Sequence, residues 1–93
     1  MHRQPGPADV ALLVEVAESS LGMDRGEKLR AYARAGIPVY WIVNLVDRQV
    51  EVYTDPVNDR YAGRQDYRPG QAIPVLIDGQ AVGDLAVDQL LPQ

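Results

Sequence analysis

Val10-Ala11-Leu12-Leu13-Val14-Glu15-Val16-Ala17 is the most apolar run of the chain, and a single glutamate interrupts it. Because it lacks strict alternation, it reads as a β-strand covered on both faces and therefore central in its sheet. Glu15 is the anomaly in that reading. An ionised carboxylate in an apolar interior costs several kcal/mol unless a cation, a metal or hydrogen-bond donors meet it. The same run therefore marks the first strand of the fold and the place to look for a site.

Downstream, Glu18-Ser19-Ser20-Leu21-Gly22 reads as a loop. Asp24, with Glu27 three residues later, has the form of a capping box, which starts a helix at about Arg25. Leu29, Tyr32, Ala33 and Gly36 fall on one helical face, and Gly36 before Ile37-Pro38 stops the helix near residue 35. Val39-Tyr40-Trp41-Ile42-Val43 is a second strand of buried character, after which Leu45–Arg48 turns the chain. Gln49-Val50-Glu51-Val52-Tyr53 alternates and reads as a half-exposed strand hairpinned to its predecessor, with Gln49, Glu51 and Tyr53 on the face opposite the valines.

Asp55–Asp59 is a turn by composition, and Arg60-Tyr61-Ala62 opens a third hairpin strand. Arg68-Pro69-Gly70 turns again, Ile73–Ile77 pairs briefly, and Asp78-Gly79 is a tight-turn dipeptide. Val82, Leu85, Val87, Leu90 and Leu91 suggest a short closing helix or an extended tail. The order is β-α-β followed by a meander, which predicts an α/β (α+β) fold with a mixed sheet and one main helix.

The chain has 93 residues, enough for one small domain over 1–93, and its 46% apolar and 24% charged content is that of an ordinary globular protein. It has no cysteine and its one histidine is His2, which removes disulfides, thiolate metal sites and Ser-His chemistry. No apolar run approaches the roughly 20 residues that cross a bilayer, and the N-terminus has no signal-peptide core, so the chain reads as cytoplasmic with no membrane partner. A net charge of -4 argues against a protein that coats nucleic acid. It leaves room for a nuclease, whose metal site needs acid.

By strand parity Asp9 and Glu15 share a face, but six residues of regular strand separate them by roughly 20 Å. Lys28 lies about one turn into the helix and borders its apolar face, so it can bend back toward the sheet. Glu15 and Lys28 would suit an oxygen-only Mg²⁺ site in which an activated water attacks a phosphodiester while the ammonium offsets phosphate charge. The alternative is a partly buried structural ion pair, or a Glu15 that reaches solvent at a sheet edge. Glu18 is either a second ligand or a solvated loop acid, and Asp24 reads as an N-cap rather than a ligand. Ser19 and Ser20 have nothing to activate them. Arg25, Arg30 and Arg34 read as a solvated helix face.

Pro7-Ala8-Asp9-Val10, Leu13-Val14-Glu15-Val16, Asp24-Arg25-Gly26-Glu27-Lys28-Leu29, Tyr32-Ala33-Arg34-Ala35-Gly36-Ile37-Pro38 and Tyr40-Trp41-Ile42-Val43-Asn44 together resemble the Uma2 family. The likeness continues through Val50-Glu51-Val52-Tyr53 and Tyr67-Arg68-Pro69-Gly70 into Leu90-Leu91-Pro92. These are restriction-endonuclease-like proteins of the PD-(D/E)XK nuclease superfamily. The resemblance implies a metal-dependent nuclease core acting on DNA with Mg²⁺ or Mn²⁺. In it Glu15 matches the strand acid, Lys28 matches a lysine moved from that strand to the next helix, and Asp9 is a further metal-ligand candidate.

Val16-Ala17 holds no lysine where Glu-X-Lys would place one. The resemblance further implies that this chain is the C-terminal half of the family domain, a partial restriction-endonuclease-like core. It would lack the N-terminal half with its Pro-Asp strand, and cleavage would be impaired. A sheet short of its first strands exposes an edge, which points to a homodimer or to a missing N-terminal segment of the same protein as partner. The rival reading is a catalytically inactive fragment or interaction module that self-associates through that edge.

Overall fold

The structure is a computed structural model that describes residues 10–92. Part of the apolar run, Leu13–Ala17, forms β1, and two short helices, α1 (Leu21–Arg25) and α2 (Glu27–Arg34), carry the chain to β2 (Val39–Asn44). β1 and β2 are parallel, as a helical crossover requires, with Glu15 beside Ile42. β3 (Gln49–Val57) and β4 (Arg60–Tyr67) follow as antiparallel neighbours, so the mixed sheet runs β1-β2-β3-β4. A separate hairpin, β5 (Ala72–Ile77) and β6 (Gln80–Ala86), ends in a single helical turn, α3 (Val87–Leu90). The fold is α+β, with a mixed sheet and α2 as its main helix.

The two faces of the sheet carry two cores. On the helix side Ala17, Tyr40, Ile42 and Tyr53 pack with Leu13, Leu21, Leu29, Tyr32 and Tyr61. Tyr40 is the hub, 5.0 Å edge-on from Tyr32 and 5.9 Å in a stack with Tyr53. On the other side Val39, Trp41, Val43 and Val50 meet Ile73, Val87 and Leu91 from the hairpin and α3. All six residues of β2 are buried, which explains why that strand reads as apolar throughout.

β1 departs from its reading as a central strand. Among the described residues it is the edge of the sheet, with Val14 45% and Val16 62% exposed while Ala17 is buried on the helix side. An apolar run without alternation signals that both faces can be covered. In this chain the hairpin and α3 pack over β2 and β3, and Val14 and Val16 stay open to solvent.

The helix departs too. The single helix read from Arg25 to about residue 35 is split at Gly26, and α1 begins at Leu21 inside the segment read as a loop. Asp24 lies within α1 and its side chain caps neither helix. Gly26 is bound to the break by contact, because a Cβ there would sit 2.9 Å from the Gly22 carbonyl oxygen. The stop at Gly36 is as read. Gly36 takes φ 75°, its N–H donates to Ala33 O at 2.9 Å, and the Ile37 N–H donates to Tyr32 O at 3.1 Å, which together form a Schellman motif. Asp78 and Gly79, both at positive φ, make the two-residue turn between paired Ile77 and Gln80. The turn read over Asp55–Asp59 is shorter, since β3 continues to Val57.

Candidate functional site

Glu15 points from β1 to the helix side of the sheet, where α2 lies against it. The crossover that makes β1 and β2 parallel also sets the first turn of α2 over β1, and this brings the two residues singled out in the sequence into contact. The Lys28 ammonium is 3.2 Å from Glu15 Oε2, and one turn later the Tyr32 hydroxyl donates to Glu15 Oε1 at 3.0 Å. Glu15 is not sealed in an apolar interior. Its side chain is 27% exposed and that of Lys28 is 34% exposed, so water, Lys28 and Tyr32 share its solvation.

A third residue completes the cluster. The Asp24 carboxylate is fully buried one turn before Lys28, with Oδ1 3.1 Å from the same ammonium. Ser20 donates to its other oxygen at 3.1 Å, and the Tyr40 hydroxyl donates to its backbone carbonyl at 3.0 Å. Two carboxylates therefore flank one cation. Asp24 first and Glu15 second raise the Lys28 pKa above the ordinary lysine value, so the group stays protonated and is unsuited to act as a base. Burial, helped by Glu15, raises Tyr32 as well, which keeps its hydroxyl a donor. Asp24 escaped the sequence reading because Asp followed three residues later by Glu has the form of a cap. Its spacing of four from Lys28 was the available signal.

A second polar cluster lies on the same face, two strands away. Glu51 of β3 is fully buried, which corrects the reading of Gln49, Glu51 and Tyr53 as an exposed strand face. Arg25 grips it through both nitrogens of a fork, with Nε 3.0 Å from Oε1 and Nη2 in contact with Oε2. Tyr53, Asn44 and Gln49 also donate to it, at 2.7, 2.9 and 3.1 Å. Burial alone would push the Glu51 carboxyl up. The bonds from Arg25, Tyr53, Asn44 and Gln49 outweigh burial and hold it at about 2. Arg25 is thus a sheet contact, not part of a solvated face. Alternation identifies the polar face of a strand but cannot tell whether water or a helix covers it.

Asp9 lies outside the described residues. Glu18 is exposed just past β1.

Residues 2–86 match the Uma2 family, which is described as "putative restriction endonuclease". The chain belongs to the Uma2 family. The match takes in the N-terminal part of the chain and gives no support to reading it as a C-terminal half alone. No curated protein and no solved structure matches it.

For an Uma2 chain the question is whether the cluster suits a divalent ion. Among the described residues no group of three or more His, Cys, Asp or Glu converges. Mg²⁺ does not need one, since it is usually held by one or two carboxylates, with waters and substrate oxygens filling its octahedron. The groups at Glu15 that could ligate are carboxylate oxygens, Glu15 itself and, across the shared Lys28 ammonium, Asp24 Oδ1 at 3.1 Å from that nitrogen. That donor set fits Mg²⁺. No helix of the described residues is long and apolar enough to cross a membrane.

Proposed function

We propose that this Uma2 chain is a Mg²⁺-dependent endonuclease that cleaves DNA phosphodiester bonds. The observation that carries the reading is the contact between the Glu15 carboxylate and the Lys28 ammonium at 3.2 Å, with both side chains partly exposed to solvent. Glu15 is the metal ligand, with Asp9 a second candidate. Mg²⁺, or Mn²⁺ in its place, would supply Lewis-acid stabilisation of the phosphate and a more acidic water. The protein's own groups do the rest. Tyr32 fixes the Glu15 carboxylate by its hydrogen bond. Lys28, held protonated by its two acids, offsets the charge that develops on the phosphate oxygens during attack.

The test is plasmid nicking by the purified chain with Mg²⁺, against Glu15→Gln and Lys28→Met. Both variants are expected to lose nicking, and equal rates for wild type and Glu15→Gln would refute the assignment.

A second reading follows from the exposed edge strand. With Val14 and Val16 open and one side of β1 unpaired among the described residues, the chain would be a catalytically silent module that associates with a second copy. It predicts a concentration-dependent oligomer and no thermal protection by Mg²⁺ or Mn²⁺. A monomer stabilised by either ion counts against it.

A further inference from the structure

We infer that Asp24 is the positioning residue for Lys28, the buried arm that keeps the ammonium beside the Glu15 carboxylate. The inference rests on the reading of Glu15 and Lys28 as the nuclease pair, and it gives a role to the fully buried acid that touches them. An ordinary task for an acid at this place is to cap a helix, but the Asp24 side chain caps neither α1 nor α2. Its carboxylate faces two ways instead. Oδ2 accepts a hydrogen bond from Ser20, one turn earlier, at 3.1 Å, and Oδ1 meets the Lys28 ammonium, one turn later, at 3.1 Å. The backbone beneath it is tied as well. Its N–H donates to Ser20 O at 2.9 Å, and its carbonyl accepts from the buried Tyr40 hydroxyl at 3.0 Å.

Lys28 needs such an arm. Its side chain is flexible and one-third exposed, and Glu15, itself 27% exposed, offers a partly solvated ion pair of the kind that imposes little order by itself. Asp24 adds a second fixed point, from α1 where Glu15 comes from β1, so contacts of 3.1 and 3.2 Å locate the ammonium between two elements. The two points are not equivalent. Glu15, as a ligand, has its oxygens engaged elsewhere during the reaction, and Asp24 is then what holds the ammonium where phosphate charge develops.

The test is plasmid nicking with Mg²⁺ at varied DNA concentration for wild type, Asp24→Asn, Ser20→Ala and Ser20→Thr. Alongside it runs the ¹⁵N–¹H signal of the Lys28 ammonium, assigned by its absence in Lys28→Met. An ammonium held by two carboxylates exchanges its protons slowly enough to be seen, whereas a solvated one does not. Asp24→Asn is expected to lose that signal and to lower kcat about 10- to 100-fold with KM for DNA unchanged, because a misplaced group costs rate and not substrate binding. Ser20→Ala is expected to lower kcat about 3- to 10-fold, and Ser20→Thr, which keeps the hydroxyl, to restore it. A folded Asp24→Asn that nicks at the wild-type rate overturns the inference and leaves the function intact. So does a loss carried by KM alone, which would make Asp24 a determinant of DNA binding. An ammonium signal absent from wild type, or unchanged in Asp24→Asn, overturns the inference too. A wild type that does not nick overturns the nuclease reading and the inference with it. Circular dichroism checks that Asp24→Asn folds. If it does not, Ser20→Ala decides, and a wild-type kcat in that variant overturns the inference.

Discussion

Glu51 shows how a polar residue invisible to pattern reading can hold a fold together. Its carboxyl titrates at about 2 in the folded chain against 4.5 as the ordinary value. Between those values the unfolded chain binds the proton and the folded chain does not, so stability rises with pH across that window. It is fully present above about pH 5 and is lost as pH falls through 2. A difference of that size corresponds to about 3 kcal/mol. We expect Glu51→Gln to cost about 3 kcal/mol at pH 7 in urea denaturation, because it leaves Arg25 without its partner. The variant should also flatten the stability profile between pH 5 and 2. A variant with the wild-type acid profile would assign that dependence to other carboxylates. Of the site, Glu15 and Lys28 were legible because an acid in an apolar run is conspicuous and a helix lysine can reach it. Asp24 and Glu51 were not, since one resembles a cap and the other a solvent-facing strand position. In both cases a helix supplies the burial, and the sequence does not state where that helix packs.

At the scale of elements, the break at Gly26 decides whether the site forms. A continuous helix from Arg25 to Arg34 would be the more regular structure, and the apparent capping box argued for a start there. The chain instead makes α1 and α2 with Gly26 between them at ψ −100°, which places Asp24 and Arg25 on the sheet side ahead of Lys28. The helix end and the Asp78-Gly79 turn were legible because Gly36 and Asp78-Gly79 act through their own backbone preferences. The break was not, because it rests on the backbone geometry that brings Gly26 against the Gly22 carbonyl four residues earlier, which no residue pattern announces. Gly26→Ala puts a methyl carbon 2.9 Å from that backbone oxygen, which cannot yield as a side-chain end can. We expect a loss of about 1–2 kcal/mol, seen as a fall in Tm of roughly 4–15 °C for a domain of this size. Gly36→Ala, forced to φ 75°, should cost about 1 kcal/mol through strain alone and leave Mn²⁺ binding unchanged. Gly26→Ala should weaken Mn²⁺ binding as well, because it shifts Lys28 and Tyr32 of α2 against Glu15. Equal ion affinities in the two glycine variants would separate the break from the site.

For the molecule as a whole, the mixed sheet was legible from the order of its runs, and the lateral position of β1 was not. Apolar residues at Val14 and Val16 meant that their face could be buried. They did not specify that the hairpin would stop short of it. Among the described residues the result is a sheet whose edge presents unpaired backbone groups beside exposed valines, the combination that favours strand addition by another chain. A symmetric pairing of β1 with its copy would use the same residues from both partners and join two sheets into one. It would also set the two Glu15 clusters near a common axis. Pairing through this edge, the second reading given above, predicts a self-associating wild type in sedimentation velocity, with the dimer fraction rising with concentration. Val16→Lys keeps the helix-side packing of β1, since Val16 is 62% exposed. It should therefore change stability by no more than about 0.5 kcal/mol. Two lysines brought together across the edge would repel, so the variant should sediment as a monomer where wild type does not. Mn²⁺ binding that survives in that monomer would show that each copy holds its own ion. Binding lost together with the dimer would instead make the site a property of the pair.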